Sequence, residues 1–199
     1  MTSKILLTSF QTWLPHQKSN SSDDLLSHLE KLEFPGIGLS FLRKLPVDVE
    51  IAKDLTIAKI QAIGPDAIIC CGMAESRTRL TVESGANSYY RSSNFDPVTF
   101  TEIESKSDGI FLKTSVNLEK LVAGLGVTEI SDNAGKFVCE GLYYQVLNYL
   151  RSRSLHIRCI FVHVPLLTPA NLSDIITDFC QIIEKLLVIA VDIAILNEL

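Results

Sequence analysis

Short apolar runs alternate with helix-patterned segments along this chain, which predicts a three-layer α/β/α sandwich around a mixed, mostly parallel sheet. Three observations carry the prediction. Ala67–Cys71 is a continuous apolar run that stops at Gly72, the pattern of a strand covered on both faces. Asp48–Ile63 has helical spacing of its apolar residues and is closed by Gly64-Pro65. Arg158–Val164 is a second apolar strand, entered from the helix-patterned segment Val138–Leu150.

The remaining elements follow in order. Ile5–Thr8 reads as a short strand and Ser9–Ser22 as a polar loop holding Phe10, Trp13 and Pro15. Asp23–Leu32 places Leu25, Leu26 and Leu29 on one helical face. Leu39–Val47 alternates as a strand, and Leu80–Glu83 is another short one. Ser84–Lys106 is polar and irregular, long for a connection, and such loops are often functional. Ile110–Thr114 is strand-like, Val116–Leu125 helical, and Val127–Ser131 a short strand. Asn171-Leu172-Ser173 starts a final helix expected to reach about Leu196. No repeat or internal linker interrupts this order, so residues 1–199 read as a single domain.

Composition excludes several function classes. The 199 residues are 47% hydrophobic and 21% charged, which is ordinary for a globular chain with a sizeable core. Net charge is −5, and no Lys/Arg block suggests nucleic acid or an anionic membrane as a partner. The N-terminus lacks a signal-peptide layout. Glu184, Lys185 and Asp192 break the apolar C-terminal stretch, against a membrane span. Its Leu186, Leu187, Ile189, Ala190, Ile193 and Leu196 exceed one narrow stripe, as at a deeply buried helix or a subunit contact. Five cysteines without a CxxC spacing read as reduced thiols in a cytoplasmic protein, not as a metal site.

The chemistry concentrates around Cys139. A turn-like stretch, Asn133-Ala134-Gly135, leads into a helix whose first turn holds this cysteine. The helix dipole and the unbonded N–H groups there are expected to lower the thiol pKa. His163 closes the strand that follows, and strand alternation puts Phe161, His163 and Pro165 on one side. A histidine in that place can take the thiol proton and later deliver it to a departing amine. Glu83, at another strand end, is the natural carboxylate to orient the imidazole, with Glu75 and Glu140 as rivals. Each residue also has a plain structural reading: a buried thiol, a core histidine and a solvated charge. Phe10 and Trp13 can wall a pocket for a small flat ligand or pack beneath their loop. Cys70-Cys71 reads as strand core, and Gly72 permits close backbone approach.

Several segments resemble one family. Ser131–Tyr144 is similar to the Ser-Asn-x-Ala-Gly-x-Tyr/Phe-Val-Cys motif of pyroglutamyl peptidase I, also called pyrrolidone-carboxylate peptidase. Phe161-Val162-His163-Val164-Pro165 resembles its histidine strand, and Gly72–Arg77 with Leu80–Glu83 its glycine-rich loop and glutamate segment. Leu6–Phe10 is similar to its Thr-Gly-Phe start. The resemblance implies a three-layer, phosphorylase/hydrolase-like α/β domain, often a homotetramer, with no metal and no organic cofactor. It implies a cysteine exopeptidase acting on peptides that begin with pyroglutamate. It assigns Cys139 as nucleophile, His163 as general base and Glu83 as its partner. Phe10 and Trp13 would line the pyroglutamyl pocket, and backbone groups near Met73 would bond the lactam.

This chain departs from the family pattern in its loops. The family's Gly-Phe-x-Pro-Phe-Gly-Gly is Ser9-Phe10-Gln11-Thr12-Trp13-Leu14-Pro15 here, so the loop backbone differs. Met73 replaces a glutamine, Glu75-Ser76 a Gly-Gly pair, Ser84 an arginine and Glu140 an asparagine. A related cysteine amidase with an altered pocket and a catalytically impaired binding homologue are the alternative readings. The oligomer expected is a tetramer or dimer of identical chains.

Overall fold

A computed structural model describes residues 2–88 and 109–189. Thirteen elements fall in these residues. They are β1 (Ser3–Phe10), α1 (Ser21–Leu29), β2 (Ile37–Leu45), α2 (Val49–Ile63), β3 (Ala67–Met73), β4 (Leu80–Glu83), β5 (Gly85–Asn87), β6 (Phe111–Lys113), α3 (Leu118–Val122), β7 (Thr128–Ser131), α4 (Val138–Ser152), β8 (Arg158–Val164) and α5 (Leu172–Val188).

Six strands form one sheet in the order β2-β1-β3-β8-β4-β7. All neighbours are parallel except β4, which runs antiparallel to β8 and parallel to β7. The sheet is therefore mixed and mostly parallel, as the strand patterns predict. Both faces are covered. Ile5, Leu7, Ile69, Cys71, Val82, Ile160 and Val162 pack with α1, α3 and α5 on one side. Leu6, Ile68, Cys70, Cys159 and Phe161 pack with α2 and α4 on the other. This explains why β3 and β8 are apolar at consecutive positions.

Element ends follow local chemistry. α1 begins at Ser21, two residues before the expected start, because the Asn20 side chain accepts from Ser22 N and caps the helix there. Asp48 caps α2 by accepting from Ile51 N, and Gly64 ends it in the left-handed region at φ 55°. α3 is only five residues long, shorter than Val116–Leu125, and Gly124 turns the chain at φ 78°. The stretch from Ser84, expected to be irregular, contains β5, which pairs with β6 as a two-stranded antiparallel ribbon. Residues 89–108 of that loop, and the expected end of α5 near Leu196, lie outside the described residues.

Candidate active site

Antiparallel pairing of β4 with β8 is what assembles the site. Thr81 lies opposite His163 and Glu83 opposite Phe161. Glu83 and His163 are thus diagonal neighbours on one face, within reach of each other. His163 Nδ1 lies 2.7 Å from Glu83 Oε1, and Glu83 is fully buried. The Phe161 ring packs on His163 with centroids 4.9 Å apart, and Tyr143 of α4 packs on Phe161 at 5.6 Å. Tyr143 also donates its hydroxyl to the Glu83 carbonyl at 3.2 Å, which ties α4 to β4.

Arg77 completes this wall, a residue to which the sequence reading gives no role. Its Nη1 donates to Glu83 Oε1 at 2.8 Å and bonds Thr81 Oγ1, and its Nη2 donates to the Asn133 carbonyl at 2.7 Å. One guanidinium therefore links the carboxylate to the loop that delivers the cysteine. Burial opposes ionisation of Glu83, but the hydrogen bond from His163, with His163 and Arg77 charge, holds its carboxyl below the usual carboxylate range. The only sequence signal for Arg77 was its place at the end of the Gly72–Arg77 segment.

Cys139 occupies the first turn of α4, as expected. Gly135 makes the preceding turn at φ 97°, and the Asn133 side chain accepts from Gly135 N at 3.1 Å. Phe137 stands at the N-cap position and supplies no capping side-chain bond. Gly72 makes room for the thiol: a Cβ there would sit 2.6 Å from Cys139 Sγ and 2.9 Å from Phe161 Cζ. The expected low thiol pKa is not what this packing produces. Burial first, and the Glu83 charge second, push it up to about 12, against the smaller pull of the cysteine's own N–H and Arg77. The local dipole argument is outweighed by tertiary burial. Glu140 turns away from the thiol and accepts from Asn87 N and Nδ2 at 3.0 and 3.2 Å.

Two cavities meet at Cys139. The larger, about 480 Å³, is lined by His163, Arg77, Asn133, Phe137, Trp13 and Met73 among others. The smaller, about 180 Å³, is lined by Phe10, Trp13, Gln17, Met73, Glu75 and Val138 among others. Cys139, Val47, Trp13, Met73 and Val138 border both. Cys139, His163, Phe10, Trp13 and Met73 thus border one or both cavities, and Glu83 is buried beside His163. Phe10 is a buried core residue that also lines the smaller cavity, whereas Trp13 is 45% exposed and packs against Phe137 in a tilted pair, 5.9 Å between centroids. Met73 sulfur accepts from Ser21 N at 3.4 Å. Phe137, Val47 and Gln17 are lining residues the sequence reading did not assign, and Glu75, a rival there for the imidazole, lines the smaller cavity while Glu83 takes the His163 bond.

A family model described as pyroglutamyl peptidase matches residues 3–198. The chain belongs to that family. It is 30% identical to a pyrrolidone-carboxylate peptidase of Oceanobacillus iheyensis, over 89% of this chain and 92% of the relative. It is 31% identical to one of Vibrio parahaemolyticus, over 86% and 82%. Among solved structures, pyroglutamyl peptidase I from Bacillus amyloliquefaciens superposes with a TM-score of 0.73 at 21% identity, covering 94% of each chain. The family is one of cysteine-type exopeptidases that remove N-terminal pyroglutamate, and this chain carries its α/β fold. Among the described residues, no helix is long and apolar enough to cross a membrane.

Proposed function

We propose that Cys139, His163 and Glu83 are the catalytic triad of this peptidase and that residues 1–199 act as one peptidase domain. The observation that carries the reading is the 2.7 Å contact between His163 Nδ1 and the buried Glu83 carboxylate, beside a cavity shared with Cys139. With Nδ1–H donated to Glu83, Nε2 is the ring nitrogen left to exchange protons. Desolvation and the Glu83 charge raise the thiol pKa, which favours activation by proton transfer to His163 as the thiol attacks.

The steps follow from that. His163 Nε2 takes the thiol proton as Cys139 Sγ bonds the carbonyl carbon of the pyroglutamyl group. The oxyanion is stabilised by first-turn N–H groups of α4, which no side chain caps. His163 then gives the proton to the leaving amine, the C–N bond breaks, and a thioester remains. Water loses a proton to His163, attacks the thioester and releases pyroglutamate and the thiol. The smaller cavity, with Phe10, Trp13 and Met73, takes the lactam ring, and its size suits one small ring. The larger cavity, beside His163, takes the departing peptide. No metal or organic cofactor enters any step.

The test is hydrolysis of a pyroglutamyl chromogenic amide under reducing conditions. Wild type is expected to release the chromophore, and Cys139→Ala to lose at least about 10⁴-fold in kcat with an unchanged Tm. Near-wild-type turnover in the variant would sink the assignment. The reading also includes a cytoplasmic setting and a homo-oligomer, tetramer or dimer. Five cysteines without a disulfide support the first, and exposed Val188 at the end of apolar α5 supports the second. A monomeric mass by light scattering would remove the oligomer.

A further inference from the structure

We propose that Glu75 and Gln17 form a positioning relay that sets Trp13 over the smaller cavity, so that Glu75 governs substrate affinity without touching the reacting atoms. The proposal rests on assigning that cavity to the acyl ring. Residues 11–20 contain no helix, strand or glycine, so the path of this loop is set by its individual bonds. The N–H groups of Trp13 and Leu14 both donate to Gln17 Oε1, at 3.0 and 3.2 Å. That is possible only while the Gln17 amide turns its oxygen back onto the loop.

Glu75 enforces this orientation. Gln17 Nε2 donates to Glu75 Oε1 at 2.7 Å, and a carboxylate accepts but cannot donate, so the flipped amide would lose its partner. The other carboxylate oxygen, Oε2, lies 3.5 Å from His16 Nε2, on an exposed side chain. Glu75 itself is referenced to the sheet. It follows Met73 at the end of β3, where Ala74 N donates to the Val164 carbonyl at 2.9 Å and Arg77 N to the Ala74 carbonyl at 3.1 Å. The chain of bonds therefore runs from β8 through the 74–77 turn, Glu75 and Gln17 to the backbone of Trp13. Trp13, Gln17, Glu75 and Cys139 all line the one cavity.

Exchanging the two groups tests the relay. Gln17→Glu sets two carboxylates against each other, and adding Glu75→Gln restores a donor and acceptor with their roles reversed. Trp13 is the only tryptophan in the chain, so its fluorescence reports its own position without substrate. Gln17→Glu is expected to raise KM for a pyroglutamyl amide about tenfold with kcat within about threefold, the effect of losing one charge-assisted bond. Acrylamide quenching of Trp13 should rise with it. The double variant should return both readouts to within about threefold of wild type, because the bond is remade. Should Gln17→Glu unfold the chain, Gln17→Met removes the bond to Glu75 together with the acceptor of the two loop N–H groups, at similar side-chain length, and should raise quenching likewise. Unchanged KM and quenching, or a double variant no better than the single, would overturn the relay. A wild type without pyroglutamyl turnover would strike the acyl-pocket reading alone, and the quenching series would still decide the relay.

Discussion

The wall of the site built from β4, β8, Arg77 and the start of α4 is held by bonds to buried groups, whereas the facing wall, residues 11–19 and 73–75, is held mainly by bonds of exposed side chains. Glu83 has no exposed surface and receives both His163 and Arg77. The Gln17–Glu75 bond and the Trp13 ring are open to solvent on the other side. A buried ion pair loses heavily when one partner goes, because the other is left desolvated and uncompensated. Exposed pairs are screened and cost less to change. On the proposed triad, the first wall is the one that would fix reaction geometry, and the second the one where substrate affinity would drift without loss of the fold.

The largest effect is expected from the buried wall. Glu83→Gln preserves an acceptor for Nδ1–H but removes the charge that stabilises imidazolium, and kcat should fall by about 10³–10⁴-fold with little change in KM. The same variant should alter acid stability. The Glu83 carboxyl lies below its unfolded value, so its contribution is present above the ordinary carboxylate range and is lost as pH falls through the folded value. Urea unfolding should show a smaller loss of stability on acidification in Glu83→Gln than in wild type. Equal acid profiles would mean that the carboxylate is not ion-paired in solution. Next comes Gly72→Ala, which forces Cys139 Sγ and Phe161 apart. It should cost about 1–3 kcal/mol by urea unfolding and move the thiol from its working position, lowering kcat at least about a hundredfold.

The two walls were not equally legible in sequence. Cys139 announced itself through a glycine turn entering a helix, and His163 and Glu83 as polar ends of apolar strands. These are local signals, and strand ends are where α/β sheets place their sites. That β4 inserts beside β8, antiparallel, is a long-range pairing that no local pattern encodes, so Glu83 could be named but its diagonal contact with His163 could not be derived. The thiol pKa went the other way from expectation for the same reason: the helix start is visible in sequence, while burial against Gly72 and Phe161 comes from tertiary packing. β5 escaped notice because three residues, Gly85-Ala86-Asn87, carry no periodicity. Gln17 and Glu75 are 58 residues apart in a polar loop and a turn, and nothing in composition joins them.

Arg77 ties the buried wall to the cysteine loop and gives an intermediate test. Its loss removes the bond to Glu83 and the tether to the Asn133 carbonyl, and Arg77→Met should lower kcat by about 10–100-fold, the range of one or two charge-assisted bonds. Arg77 charge is one of the causes that lower the Glu83 carboxyl, so the acid limb of the kcat profile should also move to higher pH. An unmoved acid limb would show that Arg77 acts only on the cysteine loop. Arg77→Lys keeps the charge without the forked geometry and should restore the pH limb more fully than kcat.

The smallest effect sharpens where the boundary between the walls runs. Phe137 is two residues from Cys139 in the chain, yet its ring packs against Trp13 at a tilt of 45°, 5.9 Å between centroids. Such a pair contributes about 0.5–1.5 kcal/mol beyond burial, so Phe137→Leu should raise KM for a pyroglutamyl amide by about two- to tenfold. kcat should stay within about twofold, because the helix start is set by Gly135 and by the Asn133 carbonyl bond to Arg77 and not by the ring. A fall in kcat at constant KM would place Phe137 with the catalytic wall, as a residue that orients the first turn of α4. Trp13→Leu should raise KM more than Phe137→Leu, because it also removes a wall of the smaller cavity, and the two together should cost less than their sum, since each removes the same ring contact. Strict additivity would mean that the two rings act on substrate independently, and the affinity wall would then end at Trp13.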